Sequence, residues 1–221
     1  KIKLSDTVDN EPPETANLLR WFRLRYLMKM KRPAALPDSV FPSAIVMHDV
    51  GIVDMHSDIN NVNNDLMISM RSSPYGGYGH MLADQNTFNV LYGGQRLFYL
   101  SGHKVAMKDP HRLGWYKATI GHNGILIDGK GQTFDPQGYG WIPRFLNGRN
   151  ITYAVGDASM AYGATSKKEN TGLKKFRRHL LFIHPDILIV YDELVADHPA
   201  KWTWLRHSPQ KIFIDSVQNE F

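Results

Sequence analysis

The sequence predicts a mainly β protein: an antiparallel, multi-stranded β-sandwich with a short helical segment at its N-terminal end. Three observations lead there. After Phe41 the chain breaks into short apolar runs, rich in β-branched and aromatic residues, with turn residues between them. No helical pattern alternates with these runs, so a parallel, doubly wound sheet is not indicated. Sheets with one apolar face bury it by packing face to face.

Before Phe41 the pattern is different. Residues 14–30 carry Leu18, Leu19, Trp21, Phe22, Leu24, Tyr26, Leu27 and Met28, apolar positions recurring at three and four. Pro12 and Pro13 precede this stripe, and Pro33 and Pro37 follow it. So aromatic a stripe implies packing on something large, either this domain's own sheet or an upstream helical domain. Residues 1–40 therefore read as a helical tail or linker, and residues 41–221 as the sandwich domain. Strands are expected at 44–47, 51–55, 66–70, 88–92, 96–100 and 123–128, then at 151–155, 176–183, 187–191 and 201–205. Turns at Gly93 and Gly94, at Gly129 to Gly131 and at Pro185 punctuate them. The polar stretch 165–175 reads as a long hairpin connection. Arg177, Arg178 and His179 read as a solvated strand segment, and Trp202 and Trp204 as core.

Composition narrows the function classes. The chain has 221 residues and no cysteine, which excludes disulfides, thiolate metal sites and a cysteine nucleophile. Its net charge of +5 suits an acidic partner. The basic residues do not form an aromatic-interleaved stripe, so nucleic acid is not the expected partner. No apolar run is long enough for a membrane-spanning helix. Phosphate-binding loops, dinucleotide fingerprints, zinc-protease motifs and serine elbows are missing. The chain opens at Lys1 without an initiator methionine or a signal-peptide core, which suggests a mature or truncated fragment.

The densest chemistry lies between Tyr75 and Phe88. Gly76, Gly77 and Gly79 surround Tyr78 and lead into His80, and Asp84, Gln85 and Asn86 follow. Glycine permits positive φ or a close approach of backbone to a ligand. His80 can act as acid, base or ligand near neutral pH. The bland alternative is a hairpin loop whose polar residues satisfy its own backbone. His122 and Asn123 open another strand, where an imidazole could face the same cleft. Arg112, Tyr116 and Lys117 precede them, with cations for acidic groups and a ring for stacking on sugars.

Ordered together, these stretches resemble the heparinase II/III-like polysaccharide lyases. The match runs from Ser73 to Phe88, through Gly93 to Leu97, Ser101 and Gly102, Thr119 to Asn123, Leu126 to Gln132, Tyr191 to Glu193 and Trp204 to His207. It covers roughly residues 40–210. The resemblance implies a C-terminal β-sandwich domain that follows a helical toroid, with substrate in the cleft between them, in a periplasmic or secreted protein. It implies β-elimination on a uronic-acid-containing polysaccharide: a base takes the C5 proton and an acid protonates the leaving oxygen. His80 matches the family's catalytic histidine. Tyr75, Tyr78, Arg112, Tyr116, Lys117, His122 and Asn123 would then bind the acidic glycan, with Asp84, Gln85 and Asn86 as structural support. Of the family's three zinc ligands only the last matches, at His122. The other two positions hold Leu82 and Leu100, so no cofactor or metal is expected. A catalytic tyrosine of the family lies in the helical part, and the tyrosine after the second zinc position is replaced by His103. The alternative class is a non-catalytic, degenerate domain that binds acidic carbohydrate.

Overall fold

The computed structural model describes residue 37 and residues 41–77, 80–102, 108–163 and 170–212. The chain divides into two units, Lys1–Val40 and Phe41–Phe221. All but Pro37 of the described residues lie in the second, and the helical stripe expected at 14–30 lies outside them.

Eleven strands form three sheets among the described residues, and every named pair is antiparallel. The first sheet is a meander of β1 (Ala44–Met47), β2 (Ile52–His56), β3 (Leu66–Arg71), β4 (Thr87–Tyr92) and β5 (Gln95–Phe98), in chain order. Strict alternation builds it: Leu66, Ile68 and Met70 are buried, while Met67, Ser69 and Arg71 turn to the other face. Between β4 and β5, Gly93 and Gly94 form a two-residue turn with φ of 55° and 76°. Two positive φ values in a row are the requirement of the hairpin turn whose twist suits antiparallel strands.

The second sheet has the order β10-β9-β8-β7, from β7 (Trp141–Asn147), β8 (Ile151–Asp157), β9 (Leu173–Ile183) and β10 (Ile187–Ala196). The third pairs β6 (Ile125–Ile127) with β11 (Trp202–Trp204). Sheets one and two share one core, in which Val53, Met55, Ile68 and Phe88 meet Ile142, Ala154, Leu180 and Phe182. A second core joins Ile125 and Ile127 to Tyr162, Leu173 and Phe176. Burial pushes the Tyr162 phenol up, and its hydroxyl donates to the Ile125 carbonyl at 2.9 Å.

Four expectations change. β7 was not expected, because Pro143 interrupts its apolar pattern. Proline is tolerated there because β7 is an edge strand and its register shifts between Trp141 and Arg144. The polar connection ends earlier than the sequence suggests, since β9 already begins at Leu173. Arg178 is not solvated: it points to the buried face of β9 and is fully inaccessible. Trp204 is not core: it is 45% exposed and lies under the Arg206 guanidinium, 4.9 Å from its ring centre. Trp202 packs against the second core.

Candidate functional site

The β3–β4 connection carries the candidate site, and its base is locked from several sides. Arg71, the last residue of β3, forms an ion pair with Asp84. Burial pushes the Asp84 carboxyl up, against the opposing pull of Arg71 and of His122. Gln85 closes the neck of the loop: its Oε1 accepts from the Ser73 amide at 2.6 Å and its Nε2 donates to the Tyr75 carbonyl at 2.9 Å. The Gln132 side chain in turn clasps the Gln85 backbone, accepting from its N–H and donating to its C=O, both at 2.7 Å. Asn86 sits at φ 57°, a conformation asparagine tolerates, and donates to the carbonyls of Gly156 and Phe176. The loop is thereby fastened to the second sheet.

The glycines serve this fastening. A Cβ on Gly76 would lie 2.3 Å from the Asp135 carbonyl oxygen, and one on Gly77 would lie 2.8 Å from the Phe134 ring. These two glycines allow close approach to the 134–136 segment of the protein, not to a ligand. His80 emerges exposed at the end of this braced loop, and Tyr75 is 57% exposed. Tyr78 and Gly79 lie outside the described residues.

The neighbouring wall is the 112–123 segment. Ala83 N–H donates to the Lys117 carbonyl at 3.0 Å, and Thr119 Oγ1 donates to the Ala83 carbonyl at 2.9 Å, so this wall is stitched to the His80 loop. A π-helical turn spans Arg112–Tyr116. Tyr116 and Lys117 are half-buried. The Lys117 ammonium stands 3.4 Å from the Phe134 ring centre, and burial together with Arg112 pushes its pKa down. Gly102, at φ 132°, leaves room for the Tyr116 ring, where a Cβ would come within 2.5 Å.

Three expected ligand contacts are corrected. Arg112 is buried in its turn, and His122 and Asn123 are fully inaccessible. His122 Nε2 donates to the Tyr116 carbonyl at 3.0 Å, and burial pushes its pKa down. Asn123 donates to the Phe88 carbonyl at 2.9 Å and accepts from the His207 amide at 2.7 Å. A polar residue at a strand start can stand at a rim or under a floor, and sequence spacing does not distinguish the two. Here both residues lie under the floor.

Sequence reasoning missed the hub beneath. The Arg178 guanidinium grips Asp192 through Nε and Nη2 at 2.8 and 2.7 Å. Its Nη1 donates to the carbonyls of Asn86 and Asn123 at 2.7 and 2.6 Å. One buried cation thus holds both walls of the site. The available signal was Asp192 opposite Arg178 in the β9–β10 register, two opposite charges on one sheet face.

At the three positions where the family resemblance implies zinc ligands stand Leu82, Leu100 and His122. Leu82 and Leu100 offer no lone pair, whereas His122 directs Nε2 at a carbonyl and keeps a buried Nδ1 without a partner. Among the described residues, no group of three histidines or carboxylates is placed to hold a metal.

The described residues of this unit form an antiparallel β domain. The family model for heparinase II/III-like C-terminal domains matches residues 42–219, and the chain belongs to that family. No curated protein matches it. Among solved structures it is similar to the heparinase III BT4657 gene product, at 18% identity and a TM-score of 0.66, over 96% of this chain and 31% of that one. It is also similar to the heparan sulfate lyase HepC from Pedobacter heparinus, at 18% identity and a TM-score of 0.59, over 84% and 27%. The chain spans under a third of the length of these proteins, and at this identity the likeness shows the fold.

Proposed function

We propose that this chain is the sandwich domain of a polysaccharide lyase that cleaves a uronic-acid-containing, anionic polysaccharide by β-elimination. The observation that carries the reading is the placement of His80: exposed on a loop whose base is held by Arg71, Gln132 and Asn86. A proton-transfer group needs an accessible ring and a fixed frame. Lys117 on the adjoining wall supplies a cation for the carboxylate, whose charge grows as the C5 proton leaves. Tyr75 and Tyr116 offer ring faces to the sugar, with Arg112, His122 and Asn123 acting from beneath as supports. Asp84 holds the loop through Arg71 and does not itself take a proton.

The catalytic assembly is completed by a helical domain, which contributes the second proton-transfer group. The site works without zinc, with leucines in place of two ligands. The protein acts in the periplasm or outside the cell, where such polymers occur. The test uses full-length protein and a panel of acidic polysaccharides, followed by the absorbance of the unsaturated uronate product. His80→Ala lowers turnover by ~10²–10⁴-fold with the fold intact. Unchanged turnover in that variant returns His80 to a structural role. Binding of acidic glycan without any product would favour the non-catalytic reading.

A further inference from the structure

Next to Trp115 lies a pocket of about 260 Å³. Its lining includes Arg96, Tyr99, Ser101, Gly102, His207 and Ser208, and contains no carboxylate among the described residues. That volume is below the usual range for drug-sized ligands and suits a single sugar ring. We propose that this pocket is a subsite for one acidic sugar unit, its anionic group held by Arg96 and its hydroxyls by the serines and His207.

The pocket is preformed. Tyr99 N–H donates to the His207 carbonyl at 3.0 Å, and Ser101 N–H donates to the Gly121 carbonyl at 2.8 Å, so the segments that line it are tied together. Trp115 Nε1 donates to Ser101 Oγ at 2.8 Å and its ring meets His207 edge-on at 6.1 Å. The Arg96 guanidinium lies over the Tyr99 ring, 4.3 Å from its centre. Stacking fixes the plane of the guanidinium and leaves its N–H edge to form paired hydrogen bonds with a carboxylate or sulfate.

His207 supplies the second requirement. Its Nδ1 is buried and has no hydrogen-bond partner. Nδ1 is the unpartnered atom of a histidine that lines the pocket. A buried polar atom without a partner calls for a ligand or a water. The matching ligand carries an anion and hydroxyl donors side by side. An acidic sugar has both, a neutral sugar lacks the anion, and inorganic sulfate lacks the donors.

The inference rests on the lyase reading only in taking the sugar to be part of a polymer. The test is amide NMR of the ¹⁵N-labelled chain titrated with glucuronate, glucose 6-sulfate, glucose and inorganic sulfate. One or both acidic sugars shift the amides of Tyr99, Ser101, Gly102 and Ser208. Arg96→Ala weakens their binding by about tenfold or more, and Arg96→Lys by less, since lysine keeps the charge without the paired donors. Equal affinity for glucose or for inorganic sulfate, or indifference to Arg96→Ala, overturns the subsite. A protein that binds glucuronate here yet cleaves no polysaccharide keeps the pocket and removes the lyase reading. An active lyase whose kcat and KM both ignore Arg96→Ala does the reverse.

Discussion

Replacing Arg178 by methionine tests the physical centre of this domain. The side chain is fully buried and makes four hydrogen bonds, two to Asp192 and one each to the carbonyls of Asn86 and Asn123. The rings of Phe88 and Phe176 flank it at 5.2 and 5.3 Å. Methionine fills a similar length without charge. The change leaves Asp192 unpaired, and breaking a buried pair costs about 3–5 kcal/mol. Asp192 keeps 13% of its side-chain surface open to solvent, which moderates that term. Two carbonyls also lose their donor, at about 1–3 kcal/mol for each one left unsatisfied. A net loss of about 5 kcal/mol is expected, a large share of the ~5–15 kcal/mol that holds a domain folded. For a chain of this size that lowers Tm by roughly 10–20 °C. Urea and thermal unfolding followed by circular dichroism measure it. The double variant Arg178→Met with Asp192→Leu recovers part of the loss, because no buried charge is then stranded. A cost under about 1 kcal/mol for Arg178→Met refutes the reasoning and returns Arg178 to a solvated strand position.

Two further predictions concern acid and metal. Burial lowers the pKa of His122 and of His207, so the folded state holds them neutral while the unfolded chain takes up protons below about 6.5. Their contribution is present above the ordinary histidine value and is lost as pH falls through it. His198, between Asp128 and Asp197, is shifted up and works in the opposite sense: its contribution is full below 6.5 and fades as pH rises through its folded value. Asp84, raised by burial, also gains at low pH. Stability of a His198→Ala variant therefore lacks the gain that wild type makes as pH falls from the raised folded value of His198 to about 6.5, and identical slopes over that window would remove His198 from the account. For metal, elemental analysis of zinc-equilibrated, desalted protein is expected to find far less than one zinc per chain. About one tightly held ion would mean that His80 or His103 joins His122 in a rearranged site.

Much of the fold was legible because alternation is a local signal. β1 to β6 and β8 to β11 fall on the apolar runs of the sequence, with ends shifted by a few residues. β7 was hidden because Pro143 breaks the pattern that an edge strand does not require. Arg178 was misread for a related reason. Its neighbours Arg177 and His179 turn toward the outer face, and a run of three cationic types looks solvated until the register places the middle one opposite Asp192. At the site, the type and position of His80 could be read, but burial could not. Whether His122 and Asn123 reach a ligand or support a floor depends on Phe88, Tyr116 and His207, which are distant in sequence.

The motif residues then divide in a way the sequence alone does not show. Gln85, Asn86, Asn123, Gln132 and Asp192 all lie in stretches that carry the family resemblance, and all direct their side chains at protein groups. They form one connected frame: Gln132 holds Gln85, Asn86 reaches the second sheet, and Arg178 joins Asn86, Asn123 and Asp192. Among the described residues near the site, His80 and Tyr75 face outward, and Lys117 and Tyr116 do so in part. Such a division suits a site whose chemistry depends on position. On the lyase reading proposed above, the geometry of His80 is set by the frame below it, and a small displacement of that frame would move its ring. Substitutions in the frame should therefore lower stability and activity together, whereas His80→Ala should lower activity alone.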